Sequence, residues 1–532
     1  MQRIYLVVIA TAFLFSCNTQ TKNTVARPVA ETPAIEGNFN YASGIRFDSG
    51  SIQKFLDEKP SFKEFRKDFH AFYGGNDYNY VWYDKNGLIE SAGILMSDAA
   101  NVAAEGVNAN IPYVDSLESL LQSTAESKNE LAPDLNTELM LTGIYFSYAK
   151  KTWAGSLNSK TDSLEWFLPK KKLSYATLLA DNLKSDSIGE TKGPVVAVQY
   201  QGLKKELTHY RDIDSKGGEV LVPLLKKPGI VKPNTSSPEV VLIRRRLMQL
   251  GDVSDADTSA VLDSKLAALI SNIKGRYGLK KDSLITNAFI AEINVPAKKR
   301  VEQIMVNMER LRWIPPRDSN SHEFILVNIP EYNLHYYEEG KDVWQCNVVV
   351  GKPMTKTVIF SGKMQYVVFS PYWNVPPSII NKEIKPAMKR NPNYLASHNM
   401  EWNGGRVRQK PGPRNSLGLV KFLFPNSNNI YLHDTPSKSL FAEDKRAFSH
   451  GCIRVAKPKD LAMRLLRNYP EWTSEKIDAA MYAGTERTVT LKPTIPVYIG
   501  YFTAFLDTDG QLNFRSDVYN RDGSLLNMLM QQ

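Results

Sequence analysis

The sequence predicts a multidomain α+β protein: a helical N-terminal region, a small three-helix module, and a mainly β C-terminal domain with a flap insertion. Three observations carry this. Apolar residues recur at helical spacing up to about residue 313 and alternate at strand spacing afterwards. A breaker-rich segment, Lys226 to Ser237 with Pro228, Gly229, Pro233 and Asn234, divides the helical part. A length of 532 residues exceeds what one core supports, which gives about three or four folded units at roughly 100 to 200 residues each. Hydrophobic and charged contents of 42% and 23% are those of globular domains, so disorder is not the default.

Met1-Gln2-Arg3 followed by the apolar run Ile4 to Phe15 suits a signal peptide and is too short to span a bilayer. It ends in Leu14-Phe15-Ser16-Cys17, which resembles a lipobox cut before a lipid-modified cysteine. Residues 1–17 are therefore expected to be a lipoprotein signal peptide with Cys17 acylated, an ordinary secretory signal or an uncleaved anchor being the alternatives, and in each case the chain is exported to face the periplasm or cell wall. Residues 18–38, rich in Thr, Pro, Ala and Glu, read as a flexible tether.

Residues 39–225 read as a mainly helical domain. Phe62, Phe65, Phe69 and Phe72 recur at spacings of three or four, an aromatic stripe expected in the core, and Leu139 to Tyr148 is a second apolar-faced run. Residues 238–297 read as the three-helix module. Val240, Ile243, Leu247 and Leu250 share a helix face ending at Gly251, and Val261, Leu266, Leu269 and Ile273 mark a second helix. Residues 298–475 open with a connecting helix, Val301 to Trp313, broken by Pro315-Pro316. Strands follow at Phe324 to Ile329, Asn333 to Tyr337, Val343 to Val350 and Tyr366 to Phe369. An insertion over 381–415, with Trp402, Gly404-Gly405 and Pro411-Gly412-Pro413, has the Gly and Pro density of a mobile flap over a site or of a long surface loop. Pro458 to Arg467 looks helical. Residues 476–532, with alternating Val489, Leu491, Val497 and Ile499, are expected as a β extension packed on the preceding β domain. Asp507-Thr508-Asp509-Gly510 is read as a turn, since the remaining ligands of a calcium loop are missing.

The net charge is +10, with clusters at Lys170-Lys171-Lys172 and Arg244-Arg245-Arg246. A solvated face is expected for them, and export takes nucleic acid out of reach as a partner. Seven scattered histidines offer no metal-ligand spacing, and no metal or cofactor is expected. Of three cysteines, Cys346 lies in a strand-like run and reads as a buried core residue, while Cys452 reads as a free reactive thiol.

The chemistry concentrates in Ala447-Phe448-Ser449-His450-Gly451-Cys452-Ile453-Arg454-Val455, with His433 nineteen positions before the cysteine. A thiol attacks a carbonyl as thiolate, and an imidazole can take its proton and return it to an amine, so acyl transfer is the first hypothesis. Gly451 allows a tight turn that brings backbone N–H groups to a developing oxyanion. Arg454 can fix a substrate carboxylate or form a structural salt bridge. Tyr372, Trp373 and Asn374 shape either a pocket or the core. Two histidines compete for the base: His450 shares a side with Cys452 on an extended chain, whereas His433 requires the chain to fold back.

The run Ser449-His450-Gly451-Cys452 resembles the signature of the YkuD-type L,D-transpeptidases, cysteine enzymes that remodel bacterial peptidoglycan. The likeness extends to Ile430-Tyr431-Leu432-His433-Asp434-Thr435-Pro436 and Pro371-Tyr372-Trp373-Asn374-Val375-Pro376, and together these blocks look like the large YcbB-type branch. Asn79-Tyr80-Val81-Trp82-Tyr83 and Trp166 resemble positions in that branch's N-terminal scaffold. Residues 238–297 resemble a peptidoglycan-binding module, with Ile273-Lys274 where a Phe-Gln pair is common.

The resemblance implies Cys452 as nucleophile and His433 as proton donor and acceptor, oriented by the backbone of Asp434. Gly451, His450, Ser449, Arg454 and Tyr372 follow as oxyanion or substrate-binding candidates, with peptidoglycan stem peptides as partners. The implied reaction joins stems in 3–3 crosslinks through a Cys452 thioester with release of D-alanine. L,D-carboxypeptidase trimming and a non-catalytic wall-binding lipoprotein are the alternatives.

Overall fold

The computed structural model describes residues 44–531 apart from 85, 109, 127–132, 156, 158–159, 170–172, 186–195, 255–256 and 315–322. The expectations for the signal-like start, Cys17, the tether and Lys170 to Lys172 lie outside the described residues.

The N-terminal region is a helical assembly around a core of its own. Phe62, Phe65, Phe69 and Phe72 are all buried in it. The helix Leu135–Ala149, capped by Asp134 accepting from Thr137 N–H at 2.7 Å, runs through the middle and is buried from Thr137 onward. Its Glu138 carboxylate accepts from the backbone N–H groups of Val81 and Trp82 and from the Tyr73 hydroxyl. Those bonds pin the 79–83 segment to the helix. Burial raises the Glu138 carboxyl to about 7 despite the three donors.

The module packs the helices Pro238–Gln249, Ser264–Arg276 and Asn287–Ile293 around Ile243, Leu247, Ile270, Ile273 and Phe289. Lys274 is buried, paired with Asp282 and donating to the Leu284 carbonyl at 3.2 Å. The arginine cluster departs from expectation. Arg244 pairs with Asp257 and Asp263, and Arg246 with Glu219 at 2.7 Å; both are buried, and only Arg245 is exposed. Arginine's fork can bury its charge when carboxylates sit at the right places, which composition does not reveal.

The helix Ala297–Trp313 is more than a connector. Residues 304–313 are buried, including Asn307, Glu309, Arg310 and Arg312. Arg312 donates to the Thr152 carbonyl and to Tyr200 of the N-terminal region and pairs with Glu309; Arg310 pairs with Asp522 near the C-terminus. Trp313 packs edge-on against Trp166 at 5.2 Å between ring centroids.

The C-terminal domain is built on a ten-stranded sheet. Its strands are β1 (Trp166–Phe167), β2 (Glu323–Asn328), β3 (Asn333–Glu338), β4 (Lys341–Gly351), β5 (Ile359–Phe369), β6 (Val420–Leu423), β7 (Leu432–His433), β8 (Ala447–Ser449), β9 (Ile453–Val455) and β10 (Arg487–Gly500). The order is β6-β7-β9-β4-β3-β2-β10-β5-β1, with β8 on β4, and β6 also pairs with β5 so that the sheet closes on itself. Val348, Ile325, Leu334, Val367, Phe422, Leu432, Ile453 and Val497 fill the interior. Cys346 on β4 is a buried free thiol, raised to about 12 by desolvation.

Two features of this sheet differ from the sequence reading. Segment 476–532 does not sit on the domain as an extension. Its β10 is an internal strand, parallel to β2 and antiparallel to β5, with the pairing with β5 shifting between Thr490 and Ile495, where Pro493 lies. Alternation marked the strand; its partners are non-local and left no periodic signal. In addition, β1 from the N-terminal region extends the sheet beside β5.

The insertion is a small subdomain with its own core of Val375, Ile380, Ile384 and Val407. The hairpin Met400–Asn403 and Arg406–Gln409 turns at Gly404-Gly405, and Trp373–Asn374 adds a third strand. Asn415 anchors its base by donating to the Pro371 and Lys410 carbonyls. The turn expectation at Asp507 matches the hairpin Ala504–Leu506 and Leu512–Phe514.

Candidate active site

The parallel pairing of β7 with β9 brings the two distant motifs together. Leu432 registers with Ile453 and His433 with Arg454, and the Ile453 N–H donates to the Tyr431 carbonyl at 3.1 Å. Leu432 and Ile453 are fully buried. Side chains alternate across a strand, so Tyr431, His433, Cys452 and Arg454 lie on the opposite face. Cys452 stands beside Tyr431, one step diagonal from His433.

His433 is 4% exposed, and its Nδ1–H donates to the Asp434 carbonyl at 2.5 Å. That bond selects the tautomer whose Nε2 carries the lone pair. Burial, with a smaller push from the Arg454 charge, lowers the imidazole to about 4, while the carbonyls of Asp434 and Leu417 pull the other way. Asp434 is itself fixed: its carboxylate accepts from Leu419 N–H at 2.8 Å and Thr435 N–H at 2.7 Å and pairs with Lys438. Gly418, at φ +63°, leaves the space Asp434 needs; a Cβ there would lie 2.3 Å from the carboxylate.

Cys452 is partly buried, with its sulfur 3.7 Å from the Asn429 carbonyl. Burial raises its thiol, partly opposed by hydrogen bonds from Tyr431 and by the Arg454 charge. The Tyr431 hydroxyl lies between the thiol and the Trp373 side chain. At neutral pH the resting groups are thus a thiol and a neutral imidazole on one face of the sheet. Arg454 makes no ion pair among the described residues, and its Nε is buried without a partner. The structural salt bridge weighed for it is not formed, and its cation is available to a carboxylate.

The turn before the nucleophile is stitched by Ser449. Its Oγ donates to the Cys452 carbonyl at 2.6 Å and accepts from Gly451 N–H at 3.0 Å. Gly451 sits at φ +119°, which favours glycine. Its amide is therefore spent inside the turn. The N–H groups of His450 and Cys452 have no acceptor among the described residues, and these are the amides open to an oxyanion. The side chain of His450 points elsewhere: its Nε2 meets Glu383 of the inserted subdomain at 3.0 Å. Tyr372 sits at the subdomain's root, its N–H donating to Glu486 and its ring 4.3 Å from the Arg408 guanidinium.

Cys452, His433 and Arg454, named from residue type and resemblance, share one face in the structure, and the Gly451 amide, an oxyanion candidate in the sequence, is bonded to Ser449 Oγ. Tyr431 was left unassigned in the sequence, although it shares parity with His433. Trp373, weighed only for pocket or core, reaches Tyr431.

Residues 322–498 match the family described as the L,D-transpeptidase catalytic domain, YkuD, and residues 67–207 match a family described as a scaffold domain. The chain is 32% identical over 288 residues to a Haemophilus influenzae protein named for L,D-transpeptidase activity; the match covers 50% of this chain and 57% of that protein. The chain thus spans little more than half the length of this curated relative. Among solved structures, an L,D-transpeptidase from Mycobacterium smegmatis is 12% identical, covering 34% of this chain and 59% of that one at a TM-score of 0.20. One from Xylanimonas cellulosilytica is 13% identical, covering 52% and 100%, at 0.18. These scores are too low to bear on the fold. Behind a helical region with a scaffold domain, the chain carries a mainly β domain that matches the YkuD family of L,D-transpeptidase catalytic domains over residues 322–498.

Proposed function

We propose that this protein is a peptidoglycan L,D-transpeptidase of the YcbB-like branch that forms 3–3 crosslinks. The observation that carries the reading is the neutral, buried His433, its Nδ1–H held by the Asp434 carbonyl and its ring on the same sheet face as the Cys452 thiol.

In this mechanism His433 Nε2 takes the Cys452 proton as sulfur attacks the carbonyl between diaminopimelate and the terminal D-alanine of a tetrapeptide stem. The oxyanion is met by the Cys452 and His450 amides, each donor contributing about 3 kcal/mol by comparison with other acyl-transfer sites. The imidazolium returns the proton to the departing D-alanine amine as the C–N bond breaks, leaving a thioester. The side-chain amine of a second stem then attacks, His433 takes its proton, and collapse restores the thiol. Arg454 holds a stem carboxylate. We place the protein outside the cytoplasm, tethered by acyl chains on Cys17.

Incubating the purified protein with tetrapeptide-bearing muropeptides and analysing products by mass spectrometry tests the reaction. New 3–3 linkages with free D-alanine support it. Tripeptide alone identifies a carboxypeptidase, and no thioester on Cys452 leaves a wall-binding protein. Radiolabelled palmitate incorporation that persists in Cys17→Ala would sink the anchor.

A further inference from the structure

We infer that Thr357 and Tyr519, both far in sequence from the signature, are positioning residues for the nucleophile's oxyanion amide. The inference rests on the acyl-transfer reading above.

The turn 449–452 lies against the loop 351–357. Lys352 N–H and Thr355 Oγ1 both donate to the Ser449 carbonyl at 3.0 Å. Thr357, fully buried, does more. Its Oγ1 accepts from Gly351 N–H at 2.9 Å and donates to the Gly451 carbonyl at 2.8 Å. The Gly451 carbonyl and the Cys452 N–H belong to one planar peptide unit. Holding that carbonyl inward turns the N–H outward, to the side where the oxyanion forms. One buried hydroxyl therefore sets the direction of the donor.

Tyr519 locks Thr357 in turn. Its hydroxyl accepts from Thr357 N–H at 3.2 Å and donates to the Gly351 carbonyl at 2.5 Å, and its ring stacks on Tyr501 at 5.8 Å. The brace continues outward. Glu165, from the N-terminal region, pairs with Arg521 at 2.6 Å and faces Lys356 at 3.6 Å. The C-terminal segment thus closes a chain of bonds from the scaffold side of the sheet to the attacking residue. Ser449 fixes the Cys452 carbonyl from the other side, so both peptide units flanking the nucleophile are held.

The test separates amide alignment from general packing by two reactions at the same sulfur. Acylation by a disaccharide-tetrapeptide passes through an oxyanion, whereas alkylation by iodoacetamide does not. Thr357→Val keeps the shape and loses both hydroxyl bonds. It should slow thioester formation, followed by intact-protein mass spectrometry and D-alanine release, by 10- to 100-fold at unchanged KM, while alkylation stays within about two-fold of the parent. Thr357→Ser should recover most of the rate, and Tyr519→Phe should show the same split at smaller amplitude. Equal acylation by parent and Thr357→Val overturns the inference. So does a parallel loss of both reactions with a lowered melting temperature, which marks a structural role alone. Failure of the parent itself to form a thioester sinks the acyl-transfer reading and this one with it; an active parent with the flat result sinks only this one.

Discussion

His433 gives its Nδ1 proton to the carbonyl of Asp434, the next residue in the chain, at 2.5 Å. A backbone carbonyl carries no net charge, so it orients the ring while raising its basicity by less than burial lowers it. Desolvation then dominates and the imidazole falls to about 4.

The first consequence concerns pH. Above about pH 5 His433 is neutral, so initial rates should be flat on the acid side down to that point and fall as pH drops through about 4. Stability moves the same way. The folded value lies below the unfolded 6.5, so the unfolded chain binds the proton more readily, and the contribution is full above 6.5 and lost as pH falls towards 4. An acid limb of the pH–rate profile centred near 6.5 would contradict the buried neutral imidazole.

The two histidines should separate cleanly. Cys452→Ala should abolish thioester formation with the fold intact by circular dichroism. His433→Ala should cost about 10²- to 10⁴-fold in rate, the range for a lost acid–base group. His450→Ala removes only the half-exposed contact with Glu383 and should change the rate by no more than a few-fold, because the turn uses the backbone of residue 450. A reversed ranking would move the base to His450.

Gly418→Ala tests whether Asp434 placement matters to His433. The new Cβ meets the Asp434 carboxylate at 2.3 Å in a backbone conformation that alanine resists. We expect destabilisation of about 1–3 kcal/mol by thermal melting, with a rate loss beyond it at temperatures where the variant stays folded. Parent-like rates in a folded variant would show that the His433–Asp434 bond tolerates displacement.

How much of this was legible depends on the range of the interaction. Local patterns carried far: the Phe62 to Phe72 stripe, the module helices and the alternation of Val489, Leu491, Val497 and Ile499 all come from period and burial acting within one element. A candidate nucleophile and two candidate histidines were readable as residue types, and the choice of His433 over His450 came from resemblance alone. What the sequence could not supply was register. The pairing of Leu432 with Ile453, which puts Tyr431 beside Cys452, and the insertion of β10 between β2 and β5 are non-local choices fixed by core packing. The burial of Arg244 and Arg246 likewise depends on Asp257, Asp263 and Glu219 arriving from elsewhere. The spent Gly451 amide depends on which way Ser449 Oγ turns.

In the scaffold, Glu138 titrates in the opposite sense to His433. Its folded value of about 7 lies above the ordinary 4.5, because burial penalises the carboxylate more than Val81, Trp82 and Tyr73 relieve it. The folded state holds the proton more tightly between 4.5 and 7, so its contribution falls as pH rises through that window, by at most about 3 kcal/mol. Glu138→Gln removes the titration. The difference in melting temperature, variant minus parent, should grow between pH 5 and pH 8; a constant difference would show that the carboxyl does not titrate there.

Arg454 is the residue whose role divides most sharply between binding and chemistry. Its guanidinium has no carboxylate partner among the described residues, lies close enough to Cys452 to favour the thiolate, and opposes protonation of His433. A stem carboxylate bound there would complete its hydrogen bonding, and the positive charge would stabilise the sulfur anion as the proton leaves. Arg454→Gln should therefore act twice. KM for tetrapeptide stems should rise about 10-fold or more, the cost of losing a charge-assisted pair of roughly 1.5–3 kcal/mol. The alkylation–pH profile of Cys452 should shift to higher pH, because the neighbouring cation is gone. Arg454→Lys keeps the charge and loses the fork, so it should restore the thiol profile while leaving KM raised. A glutamine variant with raised KM and an unmoved thiol profile would confine Arg454 to substrate binding, and one with unchanged KM would place the stem carboxylate elsewhere.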